Sequence, residues 1–97
     1  MPKAYWIGIV NVKNQEDYKK YADLAGSALL KAGAKILSRG GKLKNLEGQM
    51  INRAVIVEFP SMEDAKMFYN SDEYAKALKY LNSEVCDRFL NIAEGVD

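Results

Sequence analysis

The sequence predicts an α+β domain in which a four-stranded antiparallel sheet carries its helices on one face. Three features lead there. Four runs of β-branched and aromatic residues recur along the 97 residues. Amphipathic helical stripes with capping residues fall between the first and second runs, and again between the third and fourth. Glycine, proline and short polar clusters punctuate the junctions.

Ala4–Val12 is the first expected strand, with Tyr5, Ile7 and Ile9 on one face and Trp6, Val10 and Val12 on the other. Asn14 is placed to cap a helix beginning near Gln15. Tyr18, Tyr21, Ala22, Ala25, Ala28, Leu29 and Ala32 then share one helical stripe, and Gly33 stops the helix. Ala34–Arg39 is the second strand. A polar, glycine-punctuated connection runs from Gly40 through Asn52. Arg53–Phe59 is the third strand, with Val55, Val57 and Phe59 on one face and Ala54 and Ile56 on the other.

Pro60 ends that strand, and Ser61 with Asp64 resembles a capping box ahead of a short helix over 64–70. Ser71 caps a further helix, expected over 72–81, with acids in its first turn to suit the dipole. Asp87–Glu94 is the last strand and Gly95 closes it. The order β-α-β-β-α-β, with its second helix broken at Asn70–Ser71, is that of a ferredoxin-like unit. Right-handed crossovers place strand 3 between strands 1 and 2, antiparallel to both, with strand 4 on the far side of strand 1.

Helices cover one face of such a sheet, so the other should alternate to polar residues if water meets it. Strands 1 and 3 are apolar on both faces instead. The same sheet from a second copy is the economical cover, so a two-fold homodimer through the sheet face is expected. A single domain spanning 1–97 buries roughly 60–65% of its extended-chain surface, and association would add to that thin margin.

The order of residues resembles the DUF1330 family. The resemblance is carried by Tyr5-Trp6-Ile7, Arg39-Gly40-Gly41, Leu46-Glu47-Gly48, Arg53 and Val57-Glu58-Phe59-Pro60-Ser61. Ala65, Phe68-Tyr69, Ser71, Glu73-Tyr74 and Glu94-Gly95 complete it, across nearly the whole chain. It implies a dimeric α/β barrel and no assigned activity. The wider superfamily is similar to a collection of cofactor-free monooxygenases, isomerases and stress proteins, so fold alone does not name a function. The family often carries an arginine near the end of the last helix. Here that stretch reads Leu78-Lys79-Tyr80-Leu81-Asn82, which puts any ligand contact by such an arginine in doubt.

Composition removes several chemistries. Hydrophobic residues at 48%, charged residues at 28% and a net charge of +1 are ordinary for a globular domain and call for no nucleic-acid or membrane partner. No histidine is present, which excludes Ser-His and Cys-His pairs and imidazole bases. The single cysteine, Cys86, forms no internal disulfide and builds no zinc or iron–sulfur site. Gly40-Gly41-Lys42 lacks the spacing of a phosphate loop, and no dinucleotide fingerprint occurs. No metal or cofactor is expected. The basic connection lacks aromatics for base stacking. With no signal peptide and no membrane-length apolar run, the expected location is the cytoplasm.

Charge is uneven along the chain. Six basic residues (Lys31, Lys35, Arg39, Lys42, Lys44, Arg53) face Glu47 alone between Lys31 and Arg53. The topology brings Arg53 near Arg39 and Asn11, adds Arg88 at the start of strand 4, and places Tyr18 and the first helix N-terminus nearby. Guanidinium groups and a helix dipole suit carboxylate or phosphate, so this end is an expected anion pocket. Solvated arginines, or arginines paired with Glu47, are the alternative.

Glu58 belongs to the opposite end, roughly 16 Å from Arg53 along the strand, beside Tyr5, Trp6 and Glu94. It is a weak candidate for a base, or else a structural group near the Pro60 turn or an ion-pair partner. Tyr69 and Tyr74 flank the helix break and either shape a cleft or pack in the core. The leading expectation is a homodimer binding a small anionic organic metabolite between sheet and helices. Arg39 and Arg53 would hold the anion; Tyr18, Tyr69 and Tyr74 would shape the site. The alternatives are a cofactor-independent enzyme of isomerase or monooxygenase-like kind, with Glu58 or a tyrosine moving a proton, and a non-catalytic interaction module.

Overall fold

The computed structural model describes residues 2–96. The elements run β1 (Ala4–Val12), α1 (Gln15–Lys31), β2 (Lys35–Arg39), β3 (Arg53–Phe59), α2 (Met62–Tyr69), α3 (Asp72–Leu78) and β4 (Cys86–Glu94). The sheet order is β2-β3-β1-β4, and every neighbouring pair is antiparallel. This is the ferredoxin-like arrangement expected from the element order. The four strands leave β2 and β4 as free edges, so the sheet of one chain is open. The closed barrel implied by the family resemblance is not formed by one chain.

Local chemistry sets the boundaries. Asn14 accepts the Asp17 N–H at 3.1 Å and starts α1. Gly33 (φ 81°) ends it in a Schellman motif, with Ala34 N–H bonding to Leu29 O and Gly33 N–H to Leu30 O. Ser61 accepts the Asp64 N–H at 3.2 Å, so α2 begins at Met62, two residues before the expected start. Ser71 accepts the Tyr74 N–H at 3.2 Å and starts α3. That helix ends at Leu78 rather than Leu81. The chain beyond it tightens into i→i+3 bonds, Tyr80 N–H to Ala77 O and Leu81 N–H to Leu78 O. The connection 40–52 is tied down by asparagines: Asn52 pairs with both backbone groups of Val12, and Asn45 with both of Ile51.

The helix-covered face holds the core. Trp6 is 3% exposed and meets the rings of Phe59, Phe68 and Tyr74 with centroids 5.1–5.8 Å away. On the other face Tyr5, Ile7 and Ile9 of β1 lie across from Glu58, Ile56 and Ala54 of β3, and from Ala93, Asn91 and Phe89 of β4. Ile7, Ile9, Ile56 and Phe89 are exposed there, Phe89 at 69%. The apolar second face expected from the sequence is thus present and uncovered in the single chain. Among the described residues, no helix is long and apolar enough to cross a membrane.

Candidate functional site

Register arranges the helix-facing residues in cross-strand rows. Arg53, Val10 and Arg88 form one row, since Val10 opposes both arginines. Their Cα atoms are therefore roughly 10 Å apart, two interstrand spacings. The next row is Arg39, Val55, Gly8 and Leu90, and the one beyond it is Ile36, Val57, Trp6 and Ile92.

Arg39 reaches this face only through a bulge. The β2–β3 register slips between Ile36 and Ser38, which sets both Ile36 and Arg39 opposite helix-facing residues of β3. Strict alternation from Ile36 would have turned Arg39 to the open face.

Above Gly8, between α1 and the sheet, lies a cavity of about 40 Å³. Arg39, Arg53, Arg88, Tyr18, Tyr21 and Trp6 are among its lining residues. Arg39, Arg53, Tyr18 and Gly26 also line an outer groove of about 500 Å³ that runs along α1 to Gln15. The two arginines thus stand where groove and cavity meet.

Two glycines give the arginines room. A Cβ on Gly26 would lie 3.0 Å from Arg39 Nη1, and one on Gly40 would lie 2.5 Å from Arg53 Nη1. A glycine inside a helix costs about 0.5–1 kcal/mol relative to alanine, so Gly26 sacrifices helix stability for this close approach. Gly40 also adopts φ 67°, where side chains are strained.

Asp23 also lines the outer groove, where it pairs with Lys19 at 2.9 Å. Among the described residues, no carboxylate lies within 4 Å of Arg39, Arg53 or Arg88. Glu47 is not an ion-pair partner for them. Arg53 instead stacks on Tyr18, 4.9 Å from its ring centre, and Arg88 sits 5.1 Å from the centre of Tyr21. Arg88 donates to the Tyr21 hydroxyl at 2.7 Å and to the Tyr74 hydroxyl at 2.8 Å, and the two hydroxyls are 2.8 Å apart. Burial pushes the Tyr18, Tyr21 and Tyr74 hydroxyls above the ordinary tyrosine value, so all three are protonated near neutral pH. Among the described residues, two buried donors, Trp6 Nε1 and Arg53 Nε, have no partner.

Of the residues expected at the site, Arg39, Arg53 and Tyr18 come together with Arg88. Tyr74 is fully buried behind the cavity and bonds to its wall without lining it. Tyr69 does not line it either. It is 44% exposed, with its ring 6.2 Å from that of Trp6 and 5.6 Å from that of Tyr74. Asn11 falls on the opposite face from the arginines, one residue out of phase with Val10.

Glu58 lies on the open face, where it accepts a hydrogen bond from the Tyr5 hydroxyl at 3.3 Å and pairs with Lys3 Nζ at 3.4 Å. It is separated from the cavity by the sheet itself. The sequence places Tyr21 on the apolar stripe of α1 and Trp6 on β1 beside Glu58, and assigns neither to the anion pocket. The signal for Tyr21 was its place three residues after Tyr18 on the same stripe, facing the start of the arginine-bearing fourth strand.

A family model described as "Domain of unknown function (DUF1330)" matches residues 3–96. No curated protein matches the chain. Several solved structures share its fold. A Rhodopseudomonas palustris protein of unknown function is 16% identical with a TM-score of 0.77, over 99% of this chain and 84% of that one. A Bacteroides fragilis protein, described as dimeric, of unknown function and ferredoxin-like in fold, is 18% identical with a TM-score of 0.66, over 95% of both chains. SnoaB from Streptomyces nogalater, described as a cofactor-independent oxygenase, is 5% identical with a TM-score of 0.63, over 96% of this chain and 92% of that one.

Proposed function

We propose that this chain, which belongs to the DUF1330 family, is a homodimeric binder of a small anionic organic metabolite held between α1 and the sheet. One observation carries the reading: Arg39, Arg53 and Arg88 line one small cavity with no carboxylate among the described residues to neutralise them. Arg39 is exposed, but Arg53 and Arg88 are partly buried, and a partly buried guanidinium group without a counter-charge is costly unless an anion arrives. Arg53 and Trp6 belong to that lining, and Arg53 Nε and Trp6 Nε1 are buried without an acceptor among the described residues.

The cavity is lined by tyrosine and arginine but by no aspartate or glutamate, and the chain has no histidine. That lining suits holding and polarising an anion better than removing a proton from it. The cofactor-independent enzyme reading therefore has the fold in its favour, through likeness to SnoaB, and no base in the cavity.

The homodimer is supported by the exposed Ile7, Ile9, Ile56 and Phe89 on one contiguous face, and by the dimeric description of the Bacteroides fragilis protein of the same fold. The expected arrangement sets the open faces of two sheets against each other.

Isothermal titration with a panel of short carboxylates tests the binding. A saturable site is expected in the native protein, and Arg53→Ala should weaken it at least about tenfold, the loss typical of a charge-assisted hydrogen bond. An unchanged affinity in Arg53→Ala, with the fold intact, would remove the anion site from this cleft.

A further inference from the structure

The hydroxyl protons at the inner end of the cavity do not all have acceptors. Arg88 donates one N–H to Tyr21 and another to Tyr74, so both phenolic oxygens are already acceptors. The two hydroxyls share one hydrogen bond at 2.8 Å, which uses one O–H proton of the two. The second proton has no acceptor among the described residues. If Tyr21 donated to Tyr74, that spare proton would sit on Tyr74, which is fully buried and does not border the cavity. The arrangement that avoids a stranded donor has Tyr74 donating to Tyr21, leaving the Tyr21 proton for the cavity that Tyr21 lines. Trp6 Nε1, buried and unpartnered, belongs to the same lining.

We infer that the Tyr21 hydroxyl, polarised by Arg88 and fixed by Tyr74, is a second binding point that donates to a carbonyl oxygen, so that the ligand class is a short oxocarboxylic acid. This rests on the anion site proposed above. Arg39 and Arg53 at the junction with the outer groove take the carboxylate, and the oxygen at the other end meets Tyr21. The chemistry of the two ends differs. Arg39 and Arg53 offer charged forks free for bidentate pairing, whereas Arg88 has its two terminal nitrogens committed to tyrosines and acts through one neutral O–H. A neutral carbonyl oxygen matches that single donor, and donors held in advance on a developing oxyanion would also stabilise an enolate of the same ligand. The volume of about 40 Å³ admits only a few atoms beyond the arginines, which fixes the ligand as short.

The test compares 2-oxopentanoate and 4-oxopentanoate with pentanoate by calorimetric titration of the full chain. At least one oxo acid is expected to bind about tenfold more tightly than pentanoate, the worth of one hydrogen bond to a charged group's network. Tyr21→Phe should abolish that preference, so that the oxo acids bind this variant no more tightly than pentanoate does. Equal affinity for all three acids in the native protein overturns the inference and leaves the anion site standing. No binding of any acid overturns both. Tyr21→Phe removes part of a buried network, so a second measurement uses the native protein alone. The carbonyl ¹³C resonance of the tighter oxo acid should move downfield on binding, as a donated hydrogen bond requires, and an unmoved resonance overturns the inference.

Discussion

The two faces of the sheet are built from alternate residues of the same strands, yet they handle charge in opposite ways. On the open face Glu58 is partnered by Lys3 and by the Tyr5 hydroxyl, amid exposed isoleucines and Phe89. On the helix face three arginines converge with tyrosines and no acid among the described residues. A carboxylate with its partners in place is a structural group. Cations held together without a counter-charge favour the arrival of one. The open face is apolar surface fit for another protein surface; the covered face holds a small, mostly apolar cavity whose lining includes three arginines.

The contrast can be broken at its strongest point first. Trp6→Ala, on the covered face, should destabilise the fold by about 3–5 kcal/mol in chemical denaturation, as expected for a large aromatic lost from a core. Ile7→Ala, its neighbour on the open face, should cost about 0.5 kcal/mol or less if the chain is monomeric, and distinctly more if a partner sheet buries it. Near-equal losses at both positions in a monomer would erase the distinction between the faces.

Phe89→Glu addresses the open face alone. It should raise the dimer dissociation constant by at least about tenfold in sedimentation velocity, because each copy would bury an unpaired charge. Binding of short carboxylates should survive, since Phe89 and the cavity lie on opposite faces. A variant that stays fully dimeric would move the interface elsewhere.

Gly26→Ala sharpens the account of the covered face. The helix gains about 0.5–1 kcal/mol of intrinsic stability, while the new methyl presses on Arg39. The expected result is unchanged or improved thermal stability with carboxylate affinity reduced about threefold, because a charge-assisted pair loses its alignment. Unreduced affinity would show that Arg39 does not need the position it occupies.

The smallest effect is expected at Glu58. Glu58→Gln removes an ion pair with a half-exposed lysine and should change stability by less than about 1 kcal/mol. Carboxylate binding should be unaltered. Any turnover later found in this protein should also survive the change, and its loss would return Glu58 to the chemistry.

Much of this architecture is local and was legible in the chain. Asn14, Gly33, Ser61 and Ser71 mark helix ends because each satisfies, or frees, backbone groups within a few residues of itself. Two-sided apolar strands announce a second apolar face because strand periodicity is two, whatever the strand meets. That Arg39, Arg53 and Arg88 belong to one end of the sheet followed from strand order alone.

Tertiary structure decided the rest, because it depended on register and on side-chain reach. The bulge after Ile36 turned Arg39 inward, and no local pattern in Lys35–Arg39 marks it. The row Arg53–Val10–Arg88 needed the pairing of β1 with both its neighbours. Tyr21 and Tyr74, 53 residues apart, became one proton-sharing pair under Arg88 only when α1 and α3 packed on the sheet. Tyr69, next to the helix break in sequence, packs on Trp6 and Tyr74 but stays 44% exposed and outside the cavity. Periodicity names the face a residue occupies; the distances that make a pair of hydroxyls into a site arise from elements brought together by the whole fold.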